Sequence, residues 1–273
     1  MVKSCVMVKK AKNWDYVFAV GRIRALERSL IGQEVFQEAF DLTLPEALKL
    51  FAEADISAEE LLRVNDSRQL EKVLSQKLLE LKKLIKDLLL DKDLECFLEL
   101  DNLTLAKKSA REIKSEFLSD YIMHFIDMHN IKMFLRLHVL NEPQSLLQAR
   151  LDEEGFIQKE FFIKSYAEDL SPFLSGLRYV HKRAESVDYA YFLEEPIIIL
   201  KKENSFIGLE KAMHDFLARI LRPARYLSFG PEPLLAYYFI KVNEINLMRM
   251  VILAKLNNFG VDTVKERLNL IYA

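Results

Sequence analysis

Apolar positions recur at spacings of three and four along most of this chain, the signature of helices that each bury one face. Tyr16, Ala19, Ile23, Leu26 and Leu30 form the first such stripe, with Asn13 placed as its N-cap. Gly21 lies inside that stripe at a cost of about 1 kcal/mol relative to alanine; either the helix tolerates it, or another helix or a partner comes close to the backbone there. Pro45 reads as the first residue of a helix through Ala47, Leu48 and Phe51. Asp66 and Gln69 read as a capping box opening a long helix with Leu70, Leu74, Leu78, Leu81, Ile85 and Leu88 on one side. That side resembles a coiled-coil seam, which pairs either with a helix of the same chain or with a second copy. A further helix is expected from Phe117 to His138, ended by Asn141-Glu142-Pro143, another around Gly155 to Tyr166, and one opened by Pro172. Leu209 to Leu221 and a long helix after Gly230-Pro231-Glu232-Pro233, stopped by Gly260, complete the set, with Val264, Leu268 and Ile271 as a last amphipathic turn. The one strand-like run is Ile197 to Leu200, after Pro196.

Composition narrows this picture to an all-α fold. Seven glycines and seven prolines in 273 residues are too few for the turns of a sheet-rich protein. The closest glycines, Gly21 and Gly32, are too far apart for a glycine-rich phosphate loop. Charge is balanced, with 39 basic and 41 acidic residues and a formal net charge of −2, so the basic excess of a nucleic-acid binder is missing. Cys5 and Cys96 stand far apart, as incidental thiols of a reducing compartment do. The longest apolar stretch, Leu234 to Ile240, falls well short of the roughly 20 residues a membrane-spanning helix needs, and the first ten residues hold no signal-peptide run. A cytoplasmic protein that meets the membrane only through partners is expected.

Catalytic chemistry finds little support. His124 shares a helical face with Asp120 and Asp127, an arrangement that holds either a divalent ion or a solvated polar surface. The chain contains no paired Glu-x-x-His, His-Glu-x-x-His or Gly-x-Ser-x-Gly motif. The carboxylate pairs Glu53/Asp55, Glu59/Glu60 and Glu194/Glu195 are placed near helix starts or in loops, where they favour the positive helix end. No catalytic residue, metal or cofactor is expected.

The chain also repeats itself. Leu70-Glu71-Lys72-Val73 recurs as Leu209-Glu210-Lys211-Ala212, each opening a helix. An acidic residue followed by a basic one recurs in three blocks, beginning at Asp101, Asp127 and Glu244. The last two match at Tyr121 with Tyr238, Asp127 with Glu244 and Lys132 with Arg249, all 117 residues apart. Such repetition implies similar helical units packed together. Acid and base five residues apart stand near 140° around a helix and cannot pair with each other, so they face different neighbours: one side solvent, the other the end of an adjacent helix, or a partner.

Three segments together carry a family resemblance: Tyr16-Val-Phe-Ala-Val-Gly-Arg22-Ile-Arg24-Ala-Leu-Glu27, the Asp127-x-x-Asn130-Ile-Lys132-x-x-x-Arg136 block, and Gly230 through Arg249 to Lys255 with Arg267-Leu-x-x-Ile-Tyr272. The chain is similar to the C subunits of the A-type/V-type ATPases, whose eukaryotic counterpart is the d subunit. The resemblance implies an all-helical fold of repeated lobes in pseudo-threefold relation, forming a funnel. It implies a non-catalytic rotor adaptor, seated on the ring of membrane-embedded proteolipid subunits with the central shaft of the D and F subunits in the funnel, transmitting torque for proton or sodium transport. Only 26 residues separate Asp101 from Asp127, shorter than the family spacing, so the middle lobe is read as contracted. The expected units are 1–108, 109–155 and 156–273. The residues that the resemblance marks for partner contact are Arg22, Arg24, Glu27, Asp127, Asn130, Lys132, Arg136, Glu244, Arg249 and Lys255. A second basic cluster, Lys107, Lys108, Arg111 and Lys114, is a solvated face or an interface. The competing reading is a helical protein-binding scaffold that keeps the fold.

Overall fold

The computed structural model describes residues 12–99, 115–167, 170–182 and 185–259. The Asp101 block, the Lys107 to Lys114 cluster, the stop at Gly260 and the turn from Val264 to Ile271 lie outside the described residues. Those described are overwhelmingly helical, as the turn-poor composition requires.

A short 3-10 turn, Asn13–Tyr16, leads into α1, Val17–Leu26. Here Lys12, not Asn13, precedes the first turn, and its N–H donates to the Asp15 carboxylate. The first stripe is shorter than its spacing predicts. Ser29 Oγ donates to the Leu26 carbonyl, a 3-10 turn at Glu27–Ser29 follows, and Leu30 is extended, leaving Leu26 and Leu30 half-buried. Then come α2, Gln33–Asp41, and α3, Leu44–Ala54. Thr43 caps α3 and shares a capping box with Glu46, which places Pro45 one position later than expected. A 3-10 segment, Ile56–Arg63, precedes α4, Ser67–Leu88, where Asp66 accepts from the Gln69 N–H at 2.8 Å. Another 3-10 segment follows at Lys92–Glu99.

The second half runs through α5, Glu116–Val139; α6, Gln144–Arg150; α7, Lys159–Tyr166; and α8, Leu170–Leu177. A small antiparallel hairpin, β1 at Val180–Lys182 and β2 at Glu185–Val187, follows, with Val180 opposite Val187. Three residues a side are too few for an alternating pattern to announce them. Next are α9, Ala190–Glu203; α10, Ile207–Leu221; a 3-10 turn at Arg222–Tyr226; and α11, Glu232–Leu256. The strand-like run at Ile197 to Leu200, which has no mate to make a sheet, is part of the second half of α9. Leu193, Ile197 and Leu200 are buried at helical spacing while Ile198 and Ile199 stay partly exposed, so packing on α8 and α10 overrides the β-branched run and the internal Pro196.

Two long helices organise the packing. α11 crosses the whole chain to lie on α1, α2, α3 and α4, and α5 packs on α6, α7 and α10. The α4 seam is therefore filled from within the chain: Leu70, Leu74, Leu81, Ile85 and Leu88 are buried, and Lys77 takes the place in the stripe expected of Leu78. No helix among the described residues is long and apolar enough to cross a membrane.

Candidate functional site

The two repeat helices α5 and α11 carry most of the residues singled out above, and they begin side by side. Ser115, the N-cap of α5, donates to Glu232 in the first turn of α11 at 2.6 Å; these positions are themselves 117 residues apart. Further along, the rings of Tyr121 and Phe239 approach to 5.1 Å.

From this junction each helix holds its acid inward. Asp127 is fully buried and accepts from the N–H groups of Phe156 and Ile157 at 3.2 and 3.0 Å, which arrests the chain just before α7. Its third donor is the Tyr189 hydroxyl at 2.7 Å, whose oxygen in turn faces His124 Nδ1 at 2.7 Å. A Cβ at Gly155 would overlap the Asp127 carboxylate, so glycine is what lets the loop come this close. Burial raises the Asp127 carboxyl to about 7, against the three hydrogen bonds that favour the charged form. Glu244 is also fully buried and accepts from the Ile31 N–H at 2.6 Å, just before α2. Its second oxygen meets Lys241 at 2.6 Å; Lys241 also reaches Asp55 at 3.0 Å, and Asp55 meets Lys77 at 3.5 Å. Burial works against the Lys241 charge, but the two carboxylates outweigh it and raise the ammonium above its ordinary value.

Each base turns outward onto the helix that opens with Leu-Glu-Lys. Lys132 meets Glu210 of α10 at 2.5 Å, joined by Arg136 at 3.2 Å. Arg249 meets Glu71 of α4 at 3.1 Å. Acid and base do face different neighbours, as their angular separation requires, and both copies make the same two attachments: acid to the backbone ahead of a short helix, base to the glutamate of the neighbouring helix. Glu71 and Glu210 carry a legible signal, their shared tripeptide. Tyr189, Asp55, Lys77 and Lys241 carry none.

The remaining marked residues are dispersed. Asn130 is buried and exchanges two hydrogen bonds with the backbone of Asp152. Lys255 donates to the carbonyls of Phe40 and Leu42. Arg24 pairs with Glu27 at 2.6 Å and donates to the carbonyls of Ala224 and Leu227, tying α1 to the segment ahead of α11. Arg22 is exposed. His124 is taken up by Tyr189 and the aromatic rings of Phe156 and Phe216, and no cluster of three or more metal-ligating side chains occurs among the described residues. Asp55, placed by its sequence neighbourhood in a loop that favours a helix start, instead follows the C-terminus of α3 and is buried against two lysines. A cavity of about 190 Å³ lies between α5, α10 and α11, walled by Tyr121, Phe125, Leu217, Tyr238 and Phe239, with Asn243 and Asn246 at its side.

Residues 90–267 match the family described as ATP synthase (C/AC39) subunit. The chain is 25% identical over 170 residues to the C subunit of the V-type sodium ATPase of Enterococcus hirae, an alignment covering 62% of this chain and 49% of that protein. The chain thus spans about half the length of the curated relative it matches.

Proposed function

We infer that this chain, which belongs to the ATP synthase (C/AC39) subunit family, serves as the non-catalytic adaptor in the central stalk of a rotary A/V-type ATPase. It sits between the shaft of the D and F subunits and the proteolipid ring, peripheral on the inner face of the membrane, and passes torque between ATP chemistry and proton or sodium transport. Its units, 1–108, 109–155 and 156–273, form the lobed, pseudo-threefold funnel of the family with the middle lobe contracted.

The observation that supports this reading is the doubled attachment of α5 and α11. A torque-bearing part needs helices that do not slide past one another, and both helices here are tied at two heights, by a buried acid and by an outward base. Partner contact is assigned to Arg22, Lys132, Arg136 and Arg249 and, beside their internal bonds, to Arg24, Glu27 and Lys255. Asp127, Asn130 and Glu244 contribute by holding the frame that presents them.

Purification of the full chain with the ATPase tests the assignment. Co-purification with the proteolipid ring or with the D and F subunits is expected, and Arg249→Glu should lower coupled ion pumping, with Glu71→Arg in the same chain restoring the internal pair. Restored pumping in the double variant would assign Arg249 to the frame; pumping that stays low would assign it to the partner. A monodisperse protein with no affinity for ring or shaft would favour the scaffold reading.

A further inference from the structure

The face that α1 and the 3-10 turn ahead of it turn away from the core is unusually apolar for an exposed surface. Trp14 and Phe18 are 68% and 78% exposed one turn apart, with Val17 beside them. Gly21 and Ala25 continue the same side, and outside the helix itself no described atom stands within 4 Å of a Cβ built at Gly21. The 222–230 segment extends this surface. Trp14 packs on Phe229 with ring centroids 4.0 Å apart, the Gly230 N–H donates to the Asn13 carbonyl, and Arg24 holds Leu227, which brings the exposed Tyr226 alongside.

The charge of this surface differs from that of the chain. Among residues 12–29, Lys12, Arg22 and Arg28 are exposed bases against one exposed acid, Asp15, while the whole protein carries −2. Glu27 is already engaged by Arg24, and Asp15 by the Lys12 backbone.

We propose that this aromatic and basic face of α1 and the 222–230 segment rests directly on an anionic lipid headgroup layer. Amphipathic aromatic rings partition to the water–hydrocarbon boundary, and arginines beside them are drawn to the negative potential of the inner leaflet. The surface is open, which suits a fluid layer that moulds to projecting rings; no fixed complementary shape is needed. The membrane in question follows from the function proposed above, but the contact is direct and requires no other subunit.

Trp14 is the chain's one tryptophan, so its fluorescence reports this face alone. The full-length protein is titrated with vesicles of phosphatidylcholine containing roughly one third phosphatidylglycerol, and with phosphatidylcholine alone. A blue shift and co-sedimentation with the anionic vesicles only, fading as salt is raised, are expected. Arg22→Glu should weaken that binding roughly fivefold or more, and Phe18→Glu should weaken it at least as much, whereas the charge-matched Arg150→Glu on α6 should not. Circular dichroism of each variant establishes that it is folded. Equal binding by Phe18→Glu and the parent, no shift with anionic vesicles, or a shift with polyuridylate in their place would overturn the proposal. Because no ATPase subunit is present, a failure here leaves the adaptor assignment standing, and loss of that assignment leaves the lipid result intact.

Discussion

Asp127 and Glu244 occupy the same repeat position and solve the same problem differently. Glu244 keeps its charge company with Lys241, whereas Asp127 is surrounded by a hydroxyl, two amides and aromatic carbon. An ordinary carboxyl value of 3.8 in the unfolded chain and about 7 in the folded one means that the folded state holds the extra proton between those limits. The stability contributed by this group is therefore full below about pH 4, declines as pH rises, and is lost above about 7. Asp127→Asn should flatten that window relative to the parent, measured as denaturant midpoint against pH. Glu244→Ala should cost about 3–5 kcal/mol, because it leaves Lys241 buried with one carboxylate fewer, in the same equilibrium measurement. Gly155→Ala should destabilise by about 1–3 kcal/mol through overlap with Asp127, a cost that Asp127→Ala in the same chain should relieve in part.

At the scale of elements, the α4–α11 seam and the outward ion pairs carry very different weights. Leu70 is fully buried on α4, and Leu70→Ala should cost about 2–5 kcal/mol through lost burial and the cavity left behind. The Lys132–Glu210–Arg136 group is half-exposed and is worth at most about 1 kcal/mol. Glu210→Gln should accordingly leave the thermal midpoint nearly unchanged, whatever it does to partner binding. The helices themselves are legible wherever spacing is regular: α4 and α5 begin and end within a few residues of their signals. The second half of α9 is only strand-like in sequence, because four consecutive isoleucine and leucine side chains say nothing of their neighbours. Once α8 and α10 supply a surface on one side only, helical periodicity buries Leu193, Ile197 and Leu200 together.

Across the whole molecule, the chain's last described helix closes its first half. Because α11 lies on α1 through α4, separating the N-terminal and C-terminal portions would strip both of core, and the two should unfold as one. Hydrogen exchange read on α4 and α11 should show their slowest amides opening together, and Glu244→Ala should accelerate both sets along with the start of α2. Independent opening of α4 would count against this coupling.

The repeat is audible in the sequence as recurring acids, bases and tripeptides 117 and 139 residues apart, and with it the helical class and the family resemblance. Local spacing dictates which face a helix buries, since that depends only on where apolar side chains fall around its axis. It does not dictate which other helix covers that face. That α11 returns to α4 while α5 takes α10, that Glu71 and Glu210 receive the two bases, and that Asp127 finds Tyr189 were decided by tertiary packing alone, because each joins residues far apart in sequence whose pairing depends on shape complementarity across the assembled core.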